Sequence, residues 1–206
     1  YFDMPIQHAA DEVLKRMRRP ERNRTIREKV ARIREVVPDV ALRTTCIVGF
    51  PGETDTDFQT LLSLLEDVQF DRVGAFTYSP QEGTAASAMR DDVPESLKHE
   101  RLERLMELQS AISADRFESR IGRSVEAIVD RVSVVGAEAR PIWQAHDIDG
   151  ITRIARNDVA LRPGDLVTVQ VESVDDDVDL TASVGRVVSG AATGSPASSS
   201  RRAPPL

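Results

Sequence analysis

Arg43-Thr-Thr-Cys-Ile-Val-Gly-Phe-Pro-Gly-Glu-Thr54 is an apolar run that ends in a glycine–proline turn and meets an acidic residue. The run reads as the end of a strand over residues 40–48, the turn as a sharp corner, and the residues from Thr54 onward as the start of a helix. Thr54 stands three residues before Asp57, an acidic variant of the capping box. Glu53, Asp55 and Asp57 load the positive end of the coming helix dipole. Gly49 and Gly52 permit left-handed backbone or close approach of a ligand, and Pro51 stiffens the corner between them. These residues allow two readings: a corner that cradles a cofactor, or a plain tight connection.

On either side the pattern repeats. Tyr1–Ile6 is a short apolar strand; Val13, Leu14 and Met17 share a helical face after it; Asn23 or Thr25 can cap a second helix with Ile26, Val30, Ile33 and Val37 at helical spacing. Beyond the corner, Phe58, Leu61, Leu62 and Leu65 mark a helix over 55–68, and 71–78 reads as a further strand. The order β, α, β, α, β predicts parallel strands with right-handed crossovers, whose C-terminal ends bind ligands. Gln7–Ala9, Gly49–Glu53 and Tyr78–Gly83 all fall at such ends. A long helix over about 92–121, apolar along Leu97, Leu102, Leu105, Met106, Leu108 and Ile112, closes this first domain, 1–118.

From Ser124 the texture becomes β-branched and alternating, with runs over 125–132, 151–154, 166–174 and 180–188. Turn signals at Val135-Gly136, Asp149-Gly150, Pro163-Gly164 and Asp175–Asp177 separate them. Four or five short strands over 119–190 predict a small barrel of the oligonucleotide-binding kind. Residues 191–206, rich in Ala, Ser, Gly and Pro, predict a disordered tail. The fold class expected is therefore α/β plus all-β.

Hydrophobic residues make up 40% and charged residues 30%, a globular balance, and no apolar run approaches the ~20 residues of a membrane span. The start, Tyr-Phe-Asp-Met-Pro, has no basic region and no initiator Met, and reads like the interior of a longer protein. Cys46 is the chain's one cysteine, which excludes an intrachain disulfide and any all-cysteine metal or iron–sulfur site built from this chain alone. Charge is unevenly spread: 1–38 hold ten Lys/Arg against six Asp/Glu, whereas 119–190 hold eight Arg against twelve Asp/Glu. The Arg-rich helix at 15–19 reads first as a solvated face, with an acidic or RNA partner as the alternative.

Five segments in order resemble one family: Tyr1-Phe-Asp-Met-Pro-Ile-Gln-His8, Val13-Leu-Lys-Arg-Met-Arg-Arg19, Arg43–Thr54, Asp71–Thr84 and Leu105-Met-Glu-Leu-Gln109. It is the methylthiotransferases of the radical S-adenosylmethionine superfamily. The resemblance covers about residues 1–188, and Asp147-Ile-Asp-Gly150 with Arg162-Pro-Gly-Asp165 resemble that family's TRAM barrel. It implies the C-terminal part of a radical-SAM, partial TIM-like βα barrel followed by a TRAM barrel. It also implies S-adenosylmethionine and two 4Fe–4S clusters in the parent enzyme. In such enzymes one cluster cleaves S-adenosylmethionine to a 5′-deoxyadenosyl radical and an auxiliary cluster delivers sulfur, chemistry that belongs to the cofactors. The family's Cys-x-x-x-Cys-x-x-Cys loop is not in this chain, which is expected to be a C-terminal fragment, inactive alone and holding no cluster cysteines.

On that resemblance Gly49, Phe50, Gly52 and Glu53 match a cofactor corner whose strand end packs on adenine. Gln7 reaches the ribose or methionine moiety, or caps the following helix. Arg43, within an otherwise apolar strand, needs a charge partner: a methionine carboxylate, Glu53 or Asp71. Tyr78 and Ser79 face cofactor or substrate, or the tyrosine packs its ring and exposes its hydroxyl. His8 reads as a surface or packing residue rather than a metal ligand, and Cys46 as a small buried hydrophobe.

For the substrate, the acidic barrel, with Asp175, Asp176, Asp177 and Asp179 in one turn and Trp143 as its only tryptophan, disfavours RNA, whose binding needs positive charge and aromatic platforms. It favours a basic small-subunit ribosomal protein, steered by charge. The resemblance to the aspartate-modifying, cytoplasmic branch agrees. The alternatives are the tRNA-modifying branch and a non-catalytic TRAM binding module. Isolated residues 1–118 are expected to aggregate through an open sheet edge, and 119–190 to fold alone.

Overall fold

The computed structural model describes residues 1–146, 148–155, 159–175 and 178–189. The tail expected over 191–206, with Asp147, Asp176 and Asp177, lies outside the described residues.

Three parallel strands, β1 (Phe2–Asp3), β2 (Leu42–Val48) and β3 (Arg72–Thr77), pair in that order. Helices α1 (Asp11–Arg16) and α2 (Asn23–Val36) connect the first two, and α3 (Asp55–Val68) connects β2 to β3, because parallel neighbours need a crossover. Along β2, Leu42, Thr44, Cys46 and Val48 are buried and the residues between them are half-buried. The buried row shares one core with Phe58, Leu61 and Leu65 of α3. Thr44 fits that row because its hydroxyl is satisfied: it donates to Met4 O at 2.8 Å and accepts from Ile6 N at 3.1 Å.

Helix ends follow local chemistry. Thr54 caps α3, its hydroxyl accepting from Asp57 N at 3.2 Å while Asp57 accepts from Thr54 N at 3.0 Å. The N-cap of α2 is Arg22, one residue before Asn23; Thr25 contributes by accepting from Arg22 N at 2.9 Å. The long α4 (Glu95–Glu118) begins later than the apolar pattern suggested, since Pro94 holds extended backbone at ψ 143° and leaves 92–94 outside. Its inward face also differs: Lys98 and Arg101 are buried there, while Met106 is 42% exposed.

The second domain is a closed five-stranded barrel of β4 (Ser124–Val132), β5 (Gly136–Pro141), β6 (Thr152–Ala155), β7 (Leu166–Asp175) and β8 (Asp179–Ser189), in the order β4-β5-β6-β8-β7. Its interior is filled by alternating small and branched side chains, among them Ala127, Val129, Ala139, Val169 and Ala182. The strand β5 carries little sequence signal, because its buried residues are Ala137, Ala139 and Pro141.

The two domains meet at the N-terminal ends of the sheet strands. Ala41, just before β2, and Phe117, at the end of α4, belong to the barrel's core. Asp71, 1% exposed just before β3, accepts from Leu42 N at 2.8 Å and from Arg116 and Arg120. The Arg120 guanidinium lies 4.2 Å from the Phe117 ring and 4.8 Å from the Trp143 ring. Burial pushes Arg120 down to about 10, and the neighbouring Asp71 carboxylate opposes that shift. Trp143 is 2% exposed and so presents no platform to a base. Across the same joint, Asp149 accepts from the Tyr1 hydroxyl, and its carbonyl accepts from Arg72 at 3.2 Å.

Candidate functional site

At the opposite, C-terminal ends of the three strands lies a cavity of about 660 Å3, its lining mostly apolar. Gln7 follows β1, Ile47 is the second-last residue of β2, Thr77 ends β3 and Tyr78 follows it; Phe50 comes from the turn after β2 and Arg18 from the loop after α1. The position at the strand ends of a β/α sheet is where such folds place ligands.

Gln7, Phe50 and Tyr78 line this cavity. Gln7 takes left-handed backbone at φ 66°, its N–H donating to Thr45 O at 2.9 Å and its carbonyl accepting from Ile47 N at 2.8 Å. It caps no helix: the N-cap of α1 is Ala10, whose N–H donates to His8 Nδ1 at 3.0 Å. Tyr78 is 8% exposed, packs edge-on against Phe50 with ring centroids 5.1 Å apart, and its buried hydroxyl has no hydrogen-bond partner among the described residues. An orphaned donor beside an aromatic pair fits a ligand that carries both a ring and an acceptor.

Gly49, Gly52 and Glu53 shape the turn without lining the cavity. The Glu53 side chain is fully buried; rather than serving the dipole of α3, its Oε2 accepts from Gly49 N at 2.7 Å and Phe50 N at 3.2 Å. Its Oε1 accepts from Arg101 at 3.0 Å, and His8 Nε2 lies 3.5 Å from Oε2. With His8 Nδ1 accepting from Ala10, the proton of the neutral ring sits on Nε2 and points this contact toward the carboxylate. Gly49, at φ 72°, has a second reason to be glycine: a β-carbon there would lie 2.3 Å from Lys98 Cγ. The Lys98 ammonium in turn binds Asp91 at 2.6 Å and Glu95 at 2.7 Å, 5.6 Å from the Tyr78 ring centroid.

Arg43 pairs with Asp3 at 2.6 Å near the lower end of the sheet, so its partner is neither Glu53 nor Asp71. Sequence reasoning missed Lys98 and Arg101. A carboxylate set into an apolar turn demands a cation, and two bases three apart on one face of α4 are the signal that answers it. Cys46 is fully buried in the core-facing row of β2, and burial pushes its thiol up to about 12. Because protonation is favoured in the folded protein, this thiol stays uncharged up to and well beyond pH 9. Cys46 should resist Ellman's reagent at pH 8 until denaturant is added; rapid labelling of the native protein would contradict the burial.

A parallel β/α sheet with its cavity at the strand ends, joined to a small closed barrel, defines the class, and two family models agree. Residues 1–65 match the Radical SAM superfamily and residues 121–184 the TRAM domain. Among curated proteins the chain is similar to ribosomal protein methylthiotransferases. It is 49% identical over 176 residues to the ribosomal protein uS12 methylthiotransferase RimO of Hahella chejuensis, covering 85% of this chain and 40% of that protein. Against the RimO of Pectobacterium atrosepticum the identity is 45% with the same coverage. Against that of Vibrio cholerae it is 44% over 184 residues, covering 89% of this chain and 39% of the relative. The chain thus spans about two fifths of the length of these relatives. A solved structure, coproporphyrinogen III oxidase (HemN) from Escherichia coli, aligns with a TM-score of 0.47 at 15% identity over 68% of this chain and 38% of that one.

Proposed function

We propose that this chain forms the cofactor-side wall and the TRAM domain of an enzyme that adds a methylthio group to an aspartate of a small-subunit ribosomal protein in the cytoplasm. The observation that supports it most is the cavity at the strand ends, walled by Phe50 and Tyr78, in a domain of the Radical SAM superfamily.

The residues present fit S-adenosylmethionine. A mostly apolar cavity with an edge-to-face aromatic pair suits a purine, and the unpartnered Tyr78 hydroxyl and the Gln7 amide supply polar contacts. When bound, that group supplies the oxidising power for hydrogen abstraction. The chain's own work is placement: the Glu53 carboxylate fixes the Gly49–Phe50 backbone, and Lys98 secures Tyr78 and the end of the loop after β3. A 4Fe–4S cluster does not fit the described residues. Cys46 faces the core with a raised thiol pKa, and among the described residues no three His, Cys, Asp or Glu side chains are grouped as cation ligands. No step is therefore assigned to a cluster held by this chain.

In the full-length protein, Phe50→Ala should weaken S-adenosylmethionine binding about tenfold, the loss of one stacked ring face. Equilibrium dialysis reads this directly, and an unchanged affinity would move the cofactor elsewhere. The barrel's excess of carboxylates supports a basic protein partner over RNA, since an acidic surface repels phosphate.

A further inference from the structure

The cavity's charge is one-sided. Its charged lining residues are Arg16, Arg18 and Arg19, and among the described residues no carboxylate lines it. Two of the three are engaged. Arg16 donates to Gly52 O at 3.0 Å and lies 3.9 Å from Asp57; Arg19 donates to Pro5 O at 2.8 Å and lies 3.6 Å from Glu21. The exposed Arg18 guanidinium has no hydrogen-bond or ion-pair partner among the described residues.

The backbone at Arg18 makes the choice of residue informative. After Met17 caps α1, Arg18 N donates to Lys15 O at 3.0 Å and Arg19 N to Leu14 O at 2.9 Å, the paired bonds of a Schellman turn. Arg18 occupies the left-handed position of that turn, at φ 58°, where glycine is favoured and a β-carbon is destabilising. Arginine here sacrifices stability and gains a free guanidinium at the cavity. Tyr78 lines the same cavity through its half of the aromatic pair. A fork of N–H donors with no acidic group lining the cavity beside it suits a carboxylate.

We propose that Arg18 determines specificity by binding the carboxylate of the acidic side chain that the substrate protein presents to the cavity. The inference rests on the aspartate-modifying function proposed for this chain. Arg18 then distinguishes aspartate from its uncharged isostere asparagine, because a guanidinium loses a charge-assisted pair when the carboxylate becomes an amide.

The test uses the full-length protein and two fluorescent peptides of the ribosomal protein's sequence around the target aspartate, one with that aspartate and one with asparagine in its place. Fluorescence anisotropy should show the wild type favouring the aspartate peptide by about tenfold, the ratio for one charge-assisted pair. Arg18→Gln and Arg18→Gly should bind both peptides equally, Arg18→Lys should keep part of the preference, and S-adenosylmethionine affinity should be unchanged in all three. Arg18→Gly should also raise Tm by roughly 2 °C as backbone strain is relieved. A preference that survives in Arg18→Gln overturns the assignment. So does a loss of S-adenosylmethionine affinity with the peptide preference intact, which would give the guanidinium to the cofactor's carboxylate. Binding of neither peptide by the wild type would remove the aspartate reading itself, and the role of Arg18 with it.

Discussion

Arg101→Met should lower stability by about 3–5 kcal/mol, the cost of stripping a buried ion of its partner. Methionine keeps most of the bulk of the stem, so the loss reports charge rather than a cavity. Arg101 is 2% exposed and satisfies Glu53 Oε1, while Glu53 Oε2 holds the Gly49 and Phe50 amides. Without the guanidinium, a carboxylate with no access to water must either keep an uncompensated charge or take up a proton and weaken its grip on the turn. Glu53→Gln should cost less, because an amide oxygen still accepts from the backbone and Arg101 keeps its 2.6 Å contact with Asp55. The double variant should then be more stable than the sum of the single losses implies, the signature of coupled residues. Urea denaturation measures all three; a loss below about 1 kcal/mol in Arg101→Met would mean that the turn is held by something else.

Asp71→Ala should cost a similar amount, about 3–5 kcal/mol, and separate the unfolding of the two domains. Asp71 gathers the Leu42 amide, Arg116 and Arg120 at the point where sheet, α4 and barrel converge. Its removal leaves Arg120 buried between Phe117 and Trp143 without its carboxylate. Trp143, the only tryptophan, reports on the barrel, and helix content by circular dichroism reports on the first domain. The two signals should coincide on urea unfolding of the wild type and part in the variant. Coincident transitions in both proteins, with little loss of stability, would show that the joint is not cooperative. Phe117 and Ala41 in the barrel's core also bear on the expectation that 119–190 folds alone: a barrel that starts at residue 119 gives up an aromatic side chain from its interior.

The sheet domain was largely legible in the sequence because its signals are local. The stripe of Phe58, Leu61, Leu62 and Leu65 and the capping pair Thr54–Asp57 define α3 without reference to anything distant. The barrel's strands were legible where β-branched residues alternate, and β5 was not, since alternating alanines carry no β-propensity. That Gln7, Phe50 and Tyr78 lie near the strand ends, where they line the cavity, could be read from the order of strands and turns. The Lys98–Arg101 face could not, because helical periodicity counts charged residues as outward unless a buried counter-charge far away in the chain, as Glu53 is from Arg101, is known to await them. Arg43 shows the same limit: its partner Asp3 is adjacent only through the parallel register of β1 and β2.

The barrel is fastened to one end of the sheet and the cavity opens at the other, with the seven residues of β2 between them, roughly 20 Å of strand. No short side chain or single loop residue can touch both places at once. A molecule that met both would have to be an extended body that wraps the flank of the sheet, with the two contacts on separate parts of its surface. Under the proposed function the two ends can accordingly drift or be redesigned apart: a graft of a different barrel should alter which protein is held, while the strand tips keep the chemistry they have.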